Sequence, residues 1–419
     1  MRVKVVHDDI NAGGGSERLA IITIGLLAEM GFKVDLASFK KPDIKQLKRD
    51  FGDIVDSVDI NPVHLDLFSM IGLTNAIDNP SRVSTESKKG SQDTYGNDSD
   101  YNLIINTHGD LLPYYNRSKA SDGDKKRIIT YCHFPIVPQL IQENHDKSYM
   151  RFIRKWVGTE GLEEEDLQQR MLENILKTYD SMMRNTTVIT NSNFSKKAIE
   201  ERYGSAVKPI VVYPPVDVEK FRNIALHSSK RENMILVISR FSPDKQLENV
   251  IEVCKILIKD LKVNARIVLV GNIGAGDEKY LEKLKQSIRD YDLESKIRVE
   301  VDASFDRLLE LMQKSKVYLH PLAGEPFGIS IVEAMSAGLI PVVPNEGGYT
   351  EFVPEYYQFR THRQAADIIG KILIASDNDM QAERSQLSES VLKFSNESYK
   401  AGLRKVIESL LPSRASLTT

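Results

Sequence analysis

Two glutamates, Glu325 and Glu333, flank a turn that contains proline and glycine. A strand is predicted to end near His320, and the helix that follows is predicted to end at Gly338. Glu325 then lies in the loop before the helix, and Glu333 lies about two turns inside it. Because the two carboxylates need not share one helix face, each can bind a different part of a long ligand.

The turn after Glu325 also supplies backbone donors. Phe327, Gly328 and Ile329 are predicted to present free N–H groups at the helix N-terminus, where the helix dipole favours negative charge. A carboxylate beside a phosphate is unfavourable unless it accepts hydrogen bonds from sugar hydroxyls. A ligand with both phosphate and sugar therefore fits this stretch. A capping glutamate on an amphipathic helix is the alternative.

Two cations, Arg240 and Lys245, follow another predicted strand and lead into a helix. Open α/β sheets bind their ligands at such strand ends. The planar guanidinium and the compact ammonium group together can neutralise a diphosphate. Two solvated surface cations are the alternative interpretation.

A run of three glycines, from Gly13 to Gly15, lies between a predicted strand and a predicted helix. Backbone N–H groups and the helix dipole can bind an anion there without a charged side chain. The run matches neither the P-loop nor the dinucleotide-binding fingerprint. A flexible turn is the alternative to phosphate binding at Gly14 and Gly15.

The elements that must position these residues alternate between strands and helices, which predicts parallel sheets covered by helices. The length of 419 residues indicates two or three domains of roughly 100–200 residues each. We predict an N-terminal Rossmann-like domain over 1–208, a C-terminal Rossmann-like domain over 209–392, and a final helix and tail over 393–419. A polar stretch without Leu, Ile, Phe or Met predicts a flexible insertion at about 78–100.

Composition excludes several classes of protein. The formal net charge of -3 gives no bulk signal for nucleic-acid binding. The two cysteines, Cys132 and Cys254, are too few for a disulfide framework or a four-cysteine zinc site and suit a reducing compartment. No signal-peptide segment and no apolar run of the ~20 residues that span a bilayer is evident. We expect a cytoplasmic protein, soluble or peripheral on the cytoplasmic face of a membrane, of undetermined oligomeric state.

The spacing of Glu325 and Glu333, with seven residues between them, resembles the signature of retaining glycosyltransferases of family 4. The similar segments are the glycine turn, Asn191 to Ser195, Pro214 to Asp217, Arg240 with Lys245, Val270 with Gly271, and Glu325 to Gly348. The resemblance implies the GT-B fold, an α/β fold in which two Rossmann-like domains face each other across a cleft. It also implies that the C-terminal helix returns to the N-terminal domain.

The resemblance further implies a role for each matching position. The residues implied in catalysis are His133, Arg240, Lys245 and Glu325. The residues implied in donor binding are Gly14, Gly15, Gly271, Arg298, Val299, Phe327, Gly328, Ile329 and Glu333. The glycine turn and the two cations would hold the donor diphosphate, and Glu325 would bind hydroxyls of the transferred sugar. Glu333 would hold the ribose, Arg298 and Val299 would face the base, and His133 would lie beside the reacting sugar.

Neither a metal nor another cofactor is expected. The two Asp-x-Asp segments, Asp98 to Asp100 and Asp377 to Asp379, lie in a polar insertion and in a loop between helices. Asp8 and Asp9 are adjacent at a strand end, so their side chains point apart, and we interpret them as turn formers. Opposed cations and helix N-termini can stabilise a leaving nucleoside diphosphate without a metal.

The acceptor is predicted from two segments. Tyr149 to Val157 mixes the only tryptophan, Trp156, with cations, which is typical of a membrane interface; a buried aromatic helix edge with solvated cations is the alternative. Tyr131 to Pro135 resembles eukaryotic mannosyltransferases that extend lipid-linked oligosaccharides, which implies GDP-mannose as donor and a glycan or lipid-linked acceptor. Glu346 departs from that pattern. A transferase with a small soluble acceptor such as a sugar phosphate, and a non-catalytic nucleotide-sugar-binding protein, remain alternatives.

Overall fold

The computed structural model describes residues 1–55, 60–71, 73, 98–115, 127–142, 148–158, 165–226, 231–274 and 276–411. They divide into unit 1, which is Met1–Pro215 with Tyr399–Thr419, and unit 2, which is Val216–Ser398. Most of the insertion predicted at 78–100 lies outside the described residues, as does the tail after 411. The end of that insertion, Asp98–Asp100, forms a short 3-10 helix.

Short runs of β-branched and aliphatic residues form the strands of unit 1. These strands are β1 (Arg2–Val6), β2 (Lys33–Ser38), β3 (Asn61–His64), β4 (Leu103–Asn106), β5 (Ile128–Cys132), β6 (Thr187–Thr190) and β7 (Ile210–Val211). Within the described residues they form one seven-stranded sheet in the order β3-β2-β1-β4-β5-β6-β7, and its paired strands are parallel. The helices that accompany them are α1 (Gly15–Glu29), α2 (Ile44–Phe51), α3 (Leu67–Met70), α4 (Val137–Gln142), α5 (Ser148–Val157), α6 (Glu165–Asn185) and α7 (Asn193–Tyr203).

Both faces of this sheet are covered, because side chains alternate between two apolar clusters along each strand. On β5, Ile129 and Tyr131 belong to the cluster that includes α1, whereas Ile128 and Cys132 belong to the cluster that includes α5 and α6. The strands are therefore held rigidly, and the residues that follow their carboxyl ends are placed by a packed core.

Unit 2 repeats the same architecture. Its strands are β8 (Glu232–Ile238), β9 (Arg266–Gly271), β10 (Ile297–Val301), β11 (Ser315–Leu319), β12 (Ile340–Pro344) and β13 (Gln358–Phe359). In the part of the chain that the structure describes, they form a six-stranded parallel sheet in the order β10-β9-β8-β11-β12-β13. Its helices are α8 (Val218–Leu226), α9 (Glu248–Lys255), which continues as a π-helical turn, α10 (Glu278–Asp290), α11 (Phe305–Lys314), α12 (Ile329–Ser336), α13 (His362–Ile374) and α14 (Asp377–Ser390).

The last helix, α15 (Asn396–Leu410), crosses from unit 2 into unit 1 at Tyr399. Tyr399, Leu403 and Ile407 are buried in the α1 side of the unit 1 core, and the Tyr399 hydroxyl lies 2.6 Å from Thr23 Oγ1 of α1. Unit 1 also keeps residues 209–215, which we predicted to begin the second domain, because β7 pairs with β6.

No helix among the described residues combines the length and the apolar composition needed to cross a membrane.

Candidate functional site

The carboxyl edge of the unit 2 sheet gathers most of the residues predicted to bind a donor. β9 and β10 lie on one side of β8, and β11 and β12 lie on the other side. The edge between β8 and β11 is therefore a topological switch point, where open α/β sheets bind ligands. The loop after β8 carries Arg240 and Lys245, and the loop after β11 carries His320 and Glu325.

Lys245 and Glu325 form an ion pair across this switch point. Lys245 Nζ lies 3.0 Å from Glu325 Oε2, and about a fifth to a quarter of each side chain is exposed. Burial would raise the pKa of Glu325, but the Lys245 ammonium outweighs burial, and the pKa of Glu325 lies below its ordinary value. At neutral pH the site thus holds an ionised carboxylate that can accept hydrogen bonds, beside a cation that can bind an anion.

Arg240 is the more exposed of the two cations. Its side chain is 66% exposed, and its Nη2 lies 3.5 Å from Asp244 Oδ2. The guanidinium also contributes to lowering the pKa of Glu325, so it lies within electrostatic range of the ion pair. An exposed cation with only a weak surface partner is able to turn toward an arriving anion at little cost.

Glycines allow the loops of this edge to pack closely. A Cβ atom on Gly271 would lie 1.8 Å from the carbonyl oxygen of Ser239, so no other residue fits between the ends of β8 and β9. A Cβ atom on Gly348 would lie 1.9 Å from the carbonyl oxygen of Pro326. Close packing alone therefore explains why a glycine stands at position 271, which was predicted to bind the donor.

The helix predicted after Glu325 is α12. Gly328 is the N-cap residue in the left-handed region (φ 94°), and Ile329 begins the helix. The Phe327 side chain is 3% exposed and packs against Phe352 and Phe394, with ring centroids 5.4 and 5.1 Å away. Only the backbone of Phe327 can therefore meet a ligand. Glu333 lies inside α12 and is half-buried.

Arg298 and Val299 are not brought to this edge. They lie within β10, where they pair with Val268 and Leu269 of β9, upstream of the carboxyl end at Gly271. Both line a separate cavity of about 540 Å³, and Arg298 Nε bonds to Glu300 at 2.9 Å. The sequence pattern did not show whether these residues lie within the strand or at its end. Their position within β10 does not support the predicted contact with the base.

The carboxyl edge of the unit 1 sheet holds a second polar cluster, which sequence analysis largely missed. It forms where β1 and β4 end, again at a switch point, because β2 and β4 lie on opposite sides of β1. The rings of His7 and His108 stack with centroids 5.0 Å apart. Asp8 Oδ1 lies 2.5 Å from His108 Nδ1, and Asp8 Oδ2 accepts a 3.1 Å hydrogen bond from Trp156 Nε1.

Within this cluster, Asp8 is ionised and His108 is protonated at neutral pH. Burial opposes the charge of His108, but the carboxylate of Asp8 outweighs burial and raises the pKa of His108 to about 10. Burial also opposes the charge of Asp8, yet His108 keeps the pKa of Asp8 well below its ordinary value. Asp9 has different partners, Lys40 Nζ at 2.9 Å and the N–H of Asn11, so the adjacent carboxylates do point apart.

His133 follows β5 and lies beside this cluster. Its ring is 6.1 Å from that of His108 and 4.7 Å from that of Tyr131. Burial lowers the pKa of His133, so the imidazole is neutral at physiological pH, and within the described residues its Nε2 has no hydrogen-bond partner. The unpartnered nitrogen of a neutral imidazole can donate or accept one hydrogen bond, depending on the tautomer.

The glycine turn differs from its prediction at Gly14. The Gly14 N–H donates a 2.7 Å hydrogen bond to Glu17 Oε2, which forms a capping box at the start of α1. The pKa of Glu17 falls to about 2, because contacts with His7 outweigh burial. The amide predicted to face the diphosphate is therefore occupied by a carboxylate. The Gly-x-x-Glu spacing was the signal that could have revealed this cap.

Trp156 is not available for a membrane. It is 8% exposed, stacks on Phe39 with centroids 5.1 Å apart, and bonds to Asp8. Arg151 and Arg154, on the opposite side of α5, are exposed. The alternative interpretation of this segment, a buried aromatic edge with solvated cations, is the one that the structure supports.

His7, Asp8 and His108 also offer potential metal-ligating atoms within 4.8 Å of one another. Two ligands of one zinc ion, each about 2.1 Å from it in tetrahedral geometry, would lie more than 3 Å apart. The 2.5 Å between Asp8 and His108 is instead the distance of a hydrogen bond. The arrangement thus fits a buried ion pair better than an ion site.

Comparisons with known proteins match unit 2 to a family model and the chain to a known fold. Residues 218–393, nearly the whole of unit 2, match the family model of the glycosyl transferases group 1. The whole chain resembles solved structures, among them Anabaena Alr3699/HepE in complex with UDP-glucose (TM-score 0.63, 18% identity, covering 98% of this chain and 100% of that one). A sucrose-phosphate synthase from Thermosynechococcus elongatus aligns equally widely (TM-score 0.62, 14% identity, 98% and 99% coverage). The predicted GT-B fold is confirmed.

Several similar curated proteins share one name. A Dictyostelium discoideum "GDP-Man:Man(3)GlcNAc(2)-PP-Dol alpha-1,2-mannosyltransferase" is 28% identical over 214 residues, which cover 48% of this chain and 42% of that protein. The Neurospora crassa protein of the same name is 32% identical over 183 residues (38% and 33%), and the human one is 26% identical over 242 residues (53% and 48%). The chain thus spans less than half the length of these relatives.

Proposed function

We propose that this chain is a retaining glycosyltransferase that moves mannose from GDP-mannose to a lipid-linked glycan. The observation that carries the proposal is the Lys245–Glu325 ion pair at the switch point of unit 2, inside the region that the family model matches. The names of the curated relatives support mannose as the sugar and a lipid-linked oligosaccharide as the acceptor.

Unit 2 supplies donor binding in this proposal. Lys245 and Arg240 stabilise the negative charge that builds on the leaving GDP, and oriented cations of this kind lower the barrier without a metal. Ionised Glu325 accepts hydrogen bonds from hydroxyls of the mannose, which resolves the conflict between a carboxylate and a nearby phosphate. Glu333 binds the ribose, and the N–H groups at Gly328 and Ile329 face the phosphates.

Unit 1 supplies the acceptor side. We assign His133 to the reacting sugar, because its neutral imidazole has an unpartnered Nε2 in the described part of the chain. Gly15, at the first turn of α1, is the remaining candidate of the glycine turn for contact with phosphate, since Gly14 is occupied. The chain acts at the cytoplasmic face of a membrane, and the exposed cations of α5, rather than Trp156, contact anionic headgroups.

A panel of donors and acceptors tests this function. Purified protein is incubated with GDP-mannose, GDP-fucose, UDP-glucose or UDP-GlcNAc, each with a detergent-solubilised lipid-linked oligosaccharide, with a sugar phosphate, or without acceptor. Released nucleotide and elongated glycan are measured with and without EDTA. We expect GDP release from GDP-mannose only with the lipid-linked acceptor, unchanged by EDTA, and an α-linked product.

Each other outcome selects a different alternative. Release with a sugar phosphate in the absence of lipid would indicate a transferase with a soluble acceptor. Binding of a nucleotide sugar without release, under every acceptor condition, would indicate a non-catalytic binding protein.

A further inference from the structure

His320 is buried at the centre of the unit 2 site, yet its ring has no hydrogen-bond partner. It follows β11 at the switch point and is 7% exposed. Its backbone N–H donates to Val342 in the sheet, which fixes the residue. Among the described residues, neither Nδ1 nor Nε2 of the ring has a partner.

The hydroxyls of the neighbouring tyrosines bond to groups other than His320. Tyr349 packs edge-on at 5.3 Å and Tyr318 stacks at 6.5 Å between ring centroids. The Tyr349 hydroxyl already donates to the backbone of Leu322 at 3.0 Å, and the Tyr318 hydroxyl bonds with Ser330 at 2.8 Å. Two buried polar atoms left unpaired cost free energy, so a water molecule or a ligand group is expected to bond to them.

The chemistry of the ring selects the kind of group. Burial lowers the pKa of His320 to about 4, so the imidazole is neutral near pH 7. A neutral imidazole has one N–H donor and one acceptor nitrogen. A phosphate oxygen only accepts and would pair with the N–H alone, whereas a hydroxyl can accept from the N–H or donate to the other nitrogen. Two hydroxyls of one sugar can therefore satisfy both nitrogens. The flanking ion pair of Lys245 and Glu325 is close enough to influence the ring electrostatically.

We propose that His320 is a donor-specificity residue that hydrogen-bonds to hydroxyls of the transferred sugar beside Glu325, an inference that rests on the proposed function. Glu325 accepts from one hydroxyl of the sugar, and His320 donates to a second hydroxyl through its N–H and accepts from a third at its other nitrogen. The nucleotide part of the donor is bound elsewhere on this edge and does not depend on His320.

The test compares GDP-mannose with GDP by isothermal titration calorimetry on the full chain. His320→Leu removes both polar atoms at similar volume, His320→Asn retains a donor and an acceptor, and His362→Leu serves as a control in the same unit. We expect His320→Leu to weaken GDP-mannose binding about tenfold while GDP binding is unchanged. We expect His320→Asn to regain most of the affinity and His362→Leu to behave as wild type.

GDP binding reports that unit 2 is folded. If His320→Leu binds neither GDP nor GDP-mannose, the variant is misfolded, and the test is then made by measuring the binding of GDP-deoxymannoses to the wild-type chain. An analogue that lacks a recognised hydroxyl should bind about tenfold more weakly than GDP-mannose, and His320→Asn should narrow that difference. An unchanged ratio of GDP-mannose to GDP affinity in His320→Leu overturns the inference alone. If the wild-type chain binds GDP but no nucleotide sugar, the proposed function is wrong, and the inference for His320 fails with it.

Discussion

At the scale of single residues, Lys245 and Glu325 satisfy each other when no donor is present. Both side chains are mostly buried, so a change that removes only one partner leaves the other charge uncompensated, whereas a ligand that replaces both contacts avoids this cost. The pair keeps Glu325 ionised and holds the ammonium group at the switch point. A donor with a diphosphate and a sugar offers each partner a better-matched replacement.

The prediction at this scale concerns the charge of Lys245. Lys245→Met keeps the aliphatic stem but removes the charge, so the leaving diphosphate loses a stabilising cation and meets an unbalanced Glu325. We expect single-turnover transfer at saturating donor to fall about 10²–10³-fold. Lys255→Met is the matched control, because Lys255 also pairs with a glutamate, Glu252 at 3.6 Å, within the same unit. Wild-type turnover in Lys245→Met would remove this residue from the mechanism.

At the scale of elements, α5 makes a hydrogen bond to a buried charge at the end of β1. Trp156 Nε1 donates to Asp8, whose other oxygen is bound to His108. Hydrogen bonds to charged groups contribute about 1.5–3 kcal/mol, more than neutral ones. The indole of Trp156 thus couples the helix to the polar cluster of unit 1.

We predict that Trp156→Phe loosens α5 selectively. The phenyl ring preserves stacking on Phe39 but removes the donor to Asp8. Hydrogen exchange of the α5 amides should accelerate about tenfold or more. Tyr149→Phe, on the same buried face, removes a bond to the neutral carbonyl of Leu111 and should have a smaller effect. Equal acceleration in both variants would show that packing, not the charged bond, holds the helix.

The same helix shows what the sequence could and could not predict. The strands before Arg240 and Glu325 were predicted, because a short apolar run bounded by turn residues specifies a buried strand locally. The aromatic face of α5 is compatible with a core or with a membrane, and the choice depends on Asp8, far away in sequence. Likewise, Lys245 and Glu325 were predicted as functional residues, but their ion pair depends on the order of β8 and β11.

At the scale of the whole molecule, the one tryptophan makes the two units distinguishable. Trp156 lies in unit 1, so tryptophan fluorescence reports the unfolding of that unit. Unit 1 also contains His108, whose pKa is raised to about 10 in the folded state by Asp8. In the unfolded chain a histidine has a pKa of about 6.5. The stabilisation from the charged pair is therefore complete below about pH 6.5 and is lost as pH rises toward 10.

We predict that the free energy of urea unfolding, followed by Trp156 fluorescence, falls between pH 6.5 and 8.5. One proton limits the slope to about 1.4 kcal/mol per pH unit. Titration of the buried thiols lies outside this window. Burial raises the pKa of Cys132 and Cys254 in the folded protein, so they affect stability only where the thiols of the unfolded chain ionise, above about pH 8.5. His133 and His320 have lowered pKa values, so their effects fall below pH 6.5. His108→Gln should flatten the slope, and an equal slope in that variant would show that the Asp8–His108 pair does not hold its proton.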